Sequence, residues 1–262
     1  MTRSSARKSI FITGAAAGMG RETALLFAAK GWFVGAFDLD LGGLETLKAE
    51  IGEANGLFSA LDVSDAQAFG AAVEQFSLAT GGTLDLLFNN AGTGGAGLFD
   101  ELPWEDVMRV LNVNLIGVMI GIRTAMPLLK ATPGSLCLTT SSSSSIFGTS
   151  GIAIYSATKH AVRGLTEALS VELKRYGVRA ADLIPGLIDT AILPDHIKAM
   201  APPEGMWRLV PPVEVAEAVW SAYHADTLHW YIPEELREFD LLCVSSPEAV
   251  RDERATQAGF IN

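Results

Sequence analysis

Residues Lys8–Gly20 read KSIFITGAAAGMG: a short apolar run, Ile10-Phe11-Ile12, stops at Thr13 and enters a turn carrying Gly14, Gly18 and Gly20. An apolar run of this length fits a buried strand, and glycines at its end let the backbone turn tightly. The stretch that follows, Gly20–Lys30 (GRETALLFAAK), puts Ala24, Leu25, Phe27 and Ala28 on one packed side and closes at Gly31, so a helix follows the strand. A glycine-rich strand-to-helix turn brings backbone N–H groups to a helix N-terminus, where the dipole favours a bound phosphate.

The same alternation continues along the chain. Trp32–Phe37 (WFVGAF) is a second apolar strand ending in Asp38, Leu41–Glu53 is helical, and Gly56–Leu61 is a third strand ending in Asp62. Ala66–Leu78 is a helix, Leu84–Phe88 a fourth strand, Pro103–Leu129 a long helix with proline in its first turn, and Ser135–Thr140 a fifth strand. Ile152–Tyr176 is helical, Val178–Ile184 is a sixth strand, and Leu228–Pro233 (LHWYIP) supplies the seventh. Strands apolar on both faces, alternating with helices, predict a parallel sheet covered on both sides. Right-handed crossovers then give a doubly wound, Rossmann-like α/β fold in three layers with about seven strands. No linker or repeat interrupts residues 1–262, so a single domain is expected.

Composition narrows the function classes. The chain has 262 residues, 49% of them hydrophobic and 19% charged, enough apolar surface for a real core. Its net charge of -11 repels nucleic acid and anionic membrane surfaces, so neither is expected as a partner. Mean hydropathy is high at +0.28, yet glycine, proline or charge interrupts each long apolar run before about 20 residues, so no membrane span is expected. The start, MTRSSARKS, lacks a signal-peptide core, which reads as a frayed terminus on a cytoplasmic protein. Cys137 and Cys243 are the only cysteines and have no ligand spacing, so no metal or disulfide is expected. Gly, at 26 residues, is the remaining excess, and it concentrates at strand ends, where a ligand would sit.

Asp38 ends the second strand 18 residues after Gly20, where a carboxylate accepts hydrogen bonds from ribose hydroxyls and repels a 2′-phosphate. No Lys or Arg precedes Gly20 in the loop, and Leu39 follows Asp38. NAD is therefore preferred over NADP. The loop T-G-x-x-x-G-x-G, Asn89-Asn90-Ala91-Gly92 after strand four, and Tyr155-Ser156-Ala157-Thr158-Lys159 together resemble the short-chain dehydrogenase/reductase family, in its ordinary single-domain branch. The resemblance runs in order from about residue 8 to 192. It implies that Met19 sits with the glycines on the pyrophosphate and that Asp62 and Val63 flank the adenine. It also implies that Asn89, Ala91 and Gly92 line the cofactor trough. Pro185-Gly186 and the residues after it would cover the nicotinamide, with the Ile188 backbone and the Thr190 hydroxyl on its carboxamide.

Tyr155 and Lys159, four apart, share one helical face, so an ammonium sits near a phenol. Bringing a tyrosine from about 10 towards neutrality takes roughly 3 pKa units, or ~4 kcal/mol, from positive charge such as Lys159 and an oxidised nicotinamide. Such a phenol takes a proton from an alcohol as hydride leaves, a contribution of ~10²–10⁴-fold in rate. A hydroxyl must also orient the substrate oxygen. By family spacing this is Ser142, 13 residues before Tyr155, with Ser141 and Ser143 as register alternatives. Asn114 matches the family asparagine whose backbone carbonyl holds a water linking the lysine to solvent.

The family's substrate-pocket segments correspond to Thr93–Phe99, Ile146–Ile154 and a mobile lid at about 190–212, rich in apolar residues such as Ile192, Leu193, Met206 and Trp207. An apolar lining suits a hydrophobic secondary alcohol or ketone. Small residues on the Tyr155–Tyr176 helix, with the resemblance, imply a homodimer or homotetramer. The usual Val-Asp-Gly-Gly ending is missing, and an acidic, helical-looking tail occupies about 233–262 instead, to cap its own pocket or reach a partner subunit. The expected function is hydride transfer between NAD(H) and a secondary alcohol or ketone, with Tyr155 as general acid/base. The alternative is a redox-silent dinucleotide-binding sensor or regulator.

Overall fold

A computed structural model describes residues 7–261; the expected fraying of the N-terminus falls, up to residue 6, outside them. Five strands and their helices alternate as the sequence pattern predicts: β1 Ser9–Thr13, α1 Gly18–Ala29, β2 Phe33–Asp38, α2 Leu41–Ile51, β3 Gly56–Ala60, α3 Ala66–Thr80, β4 Leu86–Asn89, α4 Trp104–Leu111, α5 Gly117–Lys130 and β5 Leu136–Thr140. The chain continues with α6 Ala153–Glu172, β6 Arg179–Pro185, β7 Leu187–Ile188, α7 Asp195–Met200, β8 Leu209–Val210, α8 Pro212–His224, β9 His229–Ile232, α9 Leu236–Ser245 and α10 Pro247–Gln257. Seven strands form one sheet in the order β3-β2-β1-β4-β5-β6-β9, every neighbouring pair parallel.

Each central strand is apolar on both faces because both faces are covered. Ile10, Ile12, Val34 and Leu86 pack under α1, α2 and α8, which contribute Phe27, Leu47 and Val219. Phe11, Phe37, Leu87 and Cys137 pack on the opposite face against Phe69 and Phe76 of α3 and Ile122 and Leu129 of α5. Phe11 alone stacks on Phe37 at 4.1 Å between centroids and meets Phe76 edge-on, so ring geometry adds to area burial in this layer. The strand order reverses between β1 and β4, and the crevice outside their carboxyl ends is where doubly wound sheets bind ligands.

The structure adds to three expectations. The long helix is not uniform: α4 and α5 are joined by a π-helical turn, Asn112–Ile116, which widens the backbone at a place where such bulges accompany function. The run Trp104–Lys130 is consequently 27 helical residues, with a window of mean hydropathy 1.4, long and apolar enough by length and composition to cross a membrane. Val118, Ile122, Ala125 and Leu129 of that run are nevertheless spent on the sheet. A second, two-stranded sheet, β7 with β8, also goes beyond the seven expected strands; it ties the start of the 190–212 segment to its end. The tail folds as α9 and α10 against its own chain, where Leu236, Phe239, Cys243 and Val250 join Ile146, Ile184 and Tyr231 in a separate apolar cluster.

Candidate active site

The cavity over the β1/β4 switch has a volume of about 850 Å³ and brings together Gly14, Gly18, Met19, Asp38, Leu39, Asp62, Val63, Ala91, Gly92 and Thr190. Its floor is shaped by the absence of side chains. Gly14 has φ +68°, and a Cβ there would lie 2.9 Å from the Ala91 Cα; Gly18 has φ +54°, and a Cβ there would meet the Thr190 methyl at 2.9 Å. Both positions therefore need glycine on conformational and on steric grounds. Helix α1 starts at Gly18 with no side-chain cap from Ala17, leaving first-turn N–H groups without a side-chain acceptor. Gly20 lies outside the lining and serves packing, since a Cβ would overlap the Gly14 carbonyl oxygen.

Asp38 stands at the end of β2 with its carboxylate already oriented: Oδ2 accepts from Ala16 N at 2.9 Å and Oδ1 from Asp40 N at 3.0 Å. A carboxylate oxygen has a second acceptor direction, so both can still take a hydroxyl. The nearest cation along the loop, Arg21, is committed to Glu50 at 2.7 Å. Asp62 is turned into its own loop, accepting from Ser64 N and Oγ, and Val63 packs beneath Gly117.

The asparagine pair divides its work differently from the expectation. Asn89 is buried, its Oδ1 lying against Gly121 and its Nδ2 without a hydrogen-bond partner, so it is not part of the main cavity wall. Asn90 is. Its Nδ2 donates to the Thr13 and Gly14 carbonyls and its Oδ1 accepts from Thr140 Oγ1, so one amide locks the ends of β1, β4 and β5 together. Strand alternation held the signal, because adjacent residues at a strand end face opposite sides. Pro185, Gly186 and Ile188 also lie outside the lining: Gly186 N donates to Ile232 O, and Ile188 is a buried strand residue. Ala17 and Arg109 line the cavity without having been singled out for it, and Thr93 and Ile192, expected in the substrate pocket, line it too; Arg109 reaches Thr93 Oγ1 at 2.7 Å while paired to Asp106.

Behind Gly92 lies a second group of polar side chains. Lys159 is buried and donates from Nζ to the Thr140 carbonyl at 2.8 Å. The same Nζ is 5.4 Å from the centre of the Tyr155 ring and 3.9 Å from where a Cβ on Gly92 would be. Tyr155 and Ser142 lie together, the serine side chain placed to lower the phenol against the effect of burial. Ser141 instead turns its hydroxyl to Ser145 Oγ and the Lys159 carbonyl, so of the alternatives in the serine run, Ser142 is the one that meets the phenol. Asn114, fully buried in the π turn, accepts from Thr93 N at 2.8 Å and donates to Thr93 O at 2.9 Å. Its amide thus grips the loop after Gly92, which leaves only its backbone carbonyl for any role towards Lys159.

The electrostatics correct one expectation. Burial lowers the Lys159 ammonium to about 8, because desolvation disfavours the charged form. Burial also raises the Tyr155 phenol above its ordinary value, with the Ser142 side chain opposing that shift. Within the chain, burial thus outweighs the lowering expected from Lys159. Among the described residues, no cluster of His, Cys, Asp and Glu suited to a metal occurs.

In the 190–212 segment the apolar residues split. Ile192 borders the cavity and Met200 faces outward, whereas Met206 and Trp207 pack on the α9 cluster, Trp207 edge-on to Phe239 at 5.3 Å.

Comparison with known proteins agrees with this layout. The family model described as short chain dehydrogenase matches residues 8–200. A cyclohexanol dehydrogenase of Acinetobacter sp. (strain SE19) is 35% identical over 216 residues, covering 81% of this chain and 86% of the relative. A trans-4-hydroxycyclohexanecarboxylate dehydrogenase of Sinomonas cyclohexanicum is 37% identical over 197 residues, 71% of this chain and 74% of the relative. Among solved structures, a 3-ketoacyl-(acyl-carrier-protein) reductase from Brucella melitensis complexed with NADH superposes with a TM-score of 0.78 at 30% identity, covering 86% of this chain and 96% of that one.

Proposed function

The chain belongs to the short-chain dehydrogenase/reductase family, and from that premise we propose that it oxidises an alicyclic secondary alcohol, or reduces the matching ketone, with NAD(H) as cofactor. The observation that carries the reading is the convergence of Tyr155, Ser142 and Lys159 directly behind Gly92, at the inner end of the glycine-floored cavity. Two of the named relatives are dehydrogenases of six-membered-ring alcohols, which supports the same ring class here.

The residues present fit a dinucleotide. Gly14 and Gly18 would admit the pyrophosphate where any Cβ would obstruct it, α1 would offer its first-turn N–H groups, and Asp38 would hold the adenosine ribose. Arg21, the cation that follows the glycine loop, is occupied by Glu50, and Leu39 follows Asp38, so NAD is favoured over NADP. When bound, the nicotinamide supplies the hydride-accepting carbon and, in its oxidised form, positive charge. Ser142 donates to the substrate oxygen and holds it at the Tyr155 hydroxyl. Tyr155 removes the alcohol proton, and Lys159, charged below about 8, favours the phenolate. Asn114 keeps the Thr93 loop in place beside Gly92 and offers its carbonyl for a water path from Lys159. Thr190, already against Gly18, closes the cavity from the lid side. We place the enzyme in the cytoplasm as a homodimer or homotetramer; the exposed Trp104, Met108, Ile116 and Met119 and the small residues of α6 support self-association.

The test is a panel of ring and open-chain secondary alcohols with NAD and with NADP, followed by NADH or NADPH absorbance. Ring alcohols should be oxidised, NAD at least tenfold more efficiently than NADP. Tight NADH binding with no turnover of any alcohol or ketone would favour the sensor reading instead.

A further inference from the structure

The C-terminal tail is tied to the catalytic helix by charge as well as by apolar packing. Asp240, in the middle of α9, receives Arg163 Nη2 on Oδ2 at 2.6 Å, and the Tyr231 hydroxyl donates to the same oxygen at 2.5 Å. Both members of the ion pair are largely buried, their side chains 18% and 13% exposed. Arg163 lies four residues after Lys159, one turn along the same face of α6. Its other terminal nitrogen, Nη1, points to the Ser145 carbonyl at 3.5 Å, an electrostatic contact at the outer limit of a hydrogen bond.

Ser145 carries the connection inward. Its hydroxyl donates to the Ser142 carbonyl at 2.6 Å and lies 2.9 Å from Ser141 Oγ, which is itself 3.1 Å from the Lys159 carbonyl. One residue further on, Ile146 is buried in the cluster with Leu236 and Phe239 of α9. The short segment 141–146 is thus gripped at one end by strand β5 and at the other by α9, and Ser142 sits between them. A buried ion pair broken on one side leaves an uncompensated charge that must find new partners; those already beside Arg163 are Glu167, 3.5 Å from its Nε, and the Ser145 carbonyl.

We propose that Asp240 is a positioning residue: through Arg163 and Ser145 it holds the Ser142 hydroxyl in register with Tyr155, so the tail is part of the active-site framework. This rests on the reading of Ser142 as the hydroxyl that orients the substrate. Asp240 touches no reacting atom in this account. Its loss misplaces Ser142 and raises the alcohol KM while lowering kcat, and it leaves the dinucleotide site, which lies on β1, β2 and β4, unchanged.

The experiment is a double-mutant cycle on the full chain with NAD and cyclohexanol, using Asp240→Ala, Ser142→Ala and the pair, with NADH affinity from fluorescence and Tm as controls. Asp240→Ala should lower kcat/KM about tenfold, a size typical of a small misplacement of a catalytic group, with NADH affinity within twofold of wild type. In the Ser142→Ala background the same substitution should add less than twofold, because residues acting as one unit are not additive. Arg163→Gln keeps Asp240 in place and should show the same coupling where Asp240→Ala folds poorly. A tenfold loss repeated in full in the Ser142→Ala background would mark Asp240 as merely structural and overturn the proposal, as would wild-type kinetics in Asp240→Ala. A Ser142→Ala enzyme as active as wild type would instead remove the underlying reading of Ser142.

Discussion

The cavity wall built from β1, β2 and β4 and a second wall of packing behind the site, which joins the 190–212 segment to the tail and does not itself line the cavity, solve different problems. The first wall is made by what the backbone does: positive φ at Gly14 and Gly18, uncapped N–H groups at the start of α1, and a carboxylate, Asp38, fixed by two backbone amides. A side chain at either glycine would press on Ala91 or Thr190 from a left-handed backbone, so this wall tolerates little change. The second wall is made by side chains from distant parts of the chain, Ile146, Trp207, Tyr231, Phe239 and Asp240, meeting around α9. Its shape depends on packing that can be exchanged for other packing of similar volume. The contrast teaches that one wall is fixed by backbone conformation and the other by side-chain packing that can be exchanged.

Substitutions on the first wall should therefore cost most and should act through the dinucleotide. Gly18→Val forces a branched side chain into φ +54° and against the Thr190 methyl, where the left-handed backbone alone costs ~1–2 kcal/mol. NADH affinity should weaken about 100-fold, the equivalent of ~3 kcal/mol; a fluorescence titration that finds wild-type affinity would break the comparison. Asp38→Ala removes charge-assisted hydrogen bonds of ~1.5–3 kcal/mol each, so kcat/KM for NAD should fall roughly tenfold or more and the ratio to NADP should shrink. An unchanged ratio would show that Asp38 does not read the ribose.

Much of the first wall was legible before any coordinates, because glycine at a strand end, an aspartate one strand later and a Tyr-x-x-x-Lys helix are local patterns with local physical causes. The order of strands followed from the same alternation. The π turn at Asn112–Ile116 was not legible: nothing in its residue types distinguishes a turn of five from one of four, although Asn114 in a helix interior was a hint. The exchange of roles between Asn89 and Asn90 depended on which face of β4 meets α5, set by Gly121 more than 30 positions away. The second wall was legible only as composition. That Asp240 meets Arg163 across a separation of 77 residues is a tertiary fact with no spacing to announce it. The direction of the Tyr155 shift was also hidden, since burial is not visible in a linear pattern.

Between the two walls lies Lys159, whose cost to the fold can be measured. Its ammonium is lowered to about 8 in the folded chain against an ordinary 10.5. Between these values the unfolded chain binds more protons, so stability rises with pH there, and below about 8 the full penalty of the buried charge is present. From pH 8 to 10 wild type should gain up to roughly 2 kcal/mol over a Lys159→Met variant in paired denaturant titrations. Equal slopes would mean that Lys159 is not held at a depressed value. The smallest effect belongs to the second wall: Trp207→Ala, which removes the edge-on contact with Phe239, should raise the KM for a ring alcohol severalfold, as loss of an aromatic pair of ~0.5–1.5 kcal/mol implies. The KM for NAD should stay within twofold; a change in the NAD value alone would place Trp207 on the wrong wall.

The most direct measurement is steady-state and single-turnover hydride transfer by Tyr155→Phe, with NADH binding followed by fluorescence in the same preparation. The account predicts that turnover falls by at least 10²-fold, the lower bound for loss of a general acid/base, while NADH affinity stays within twofold of wild type. Turnover at the wild-type rate in Tyr155→Phe would contradict it.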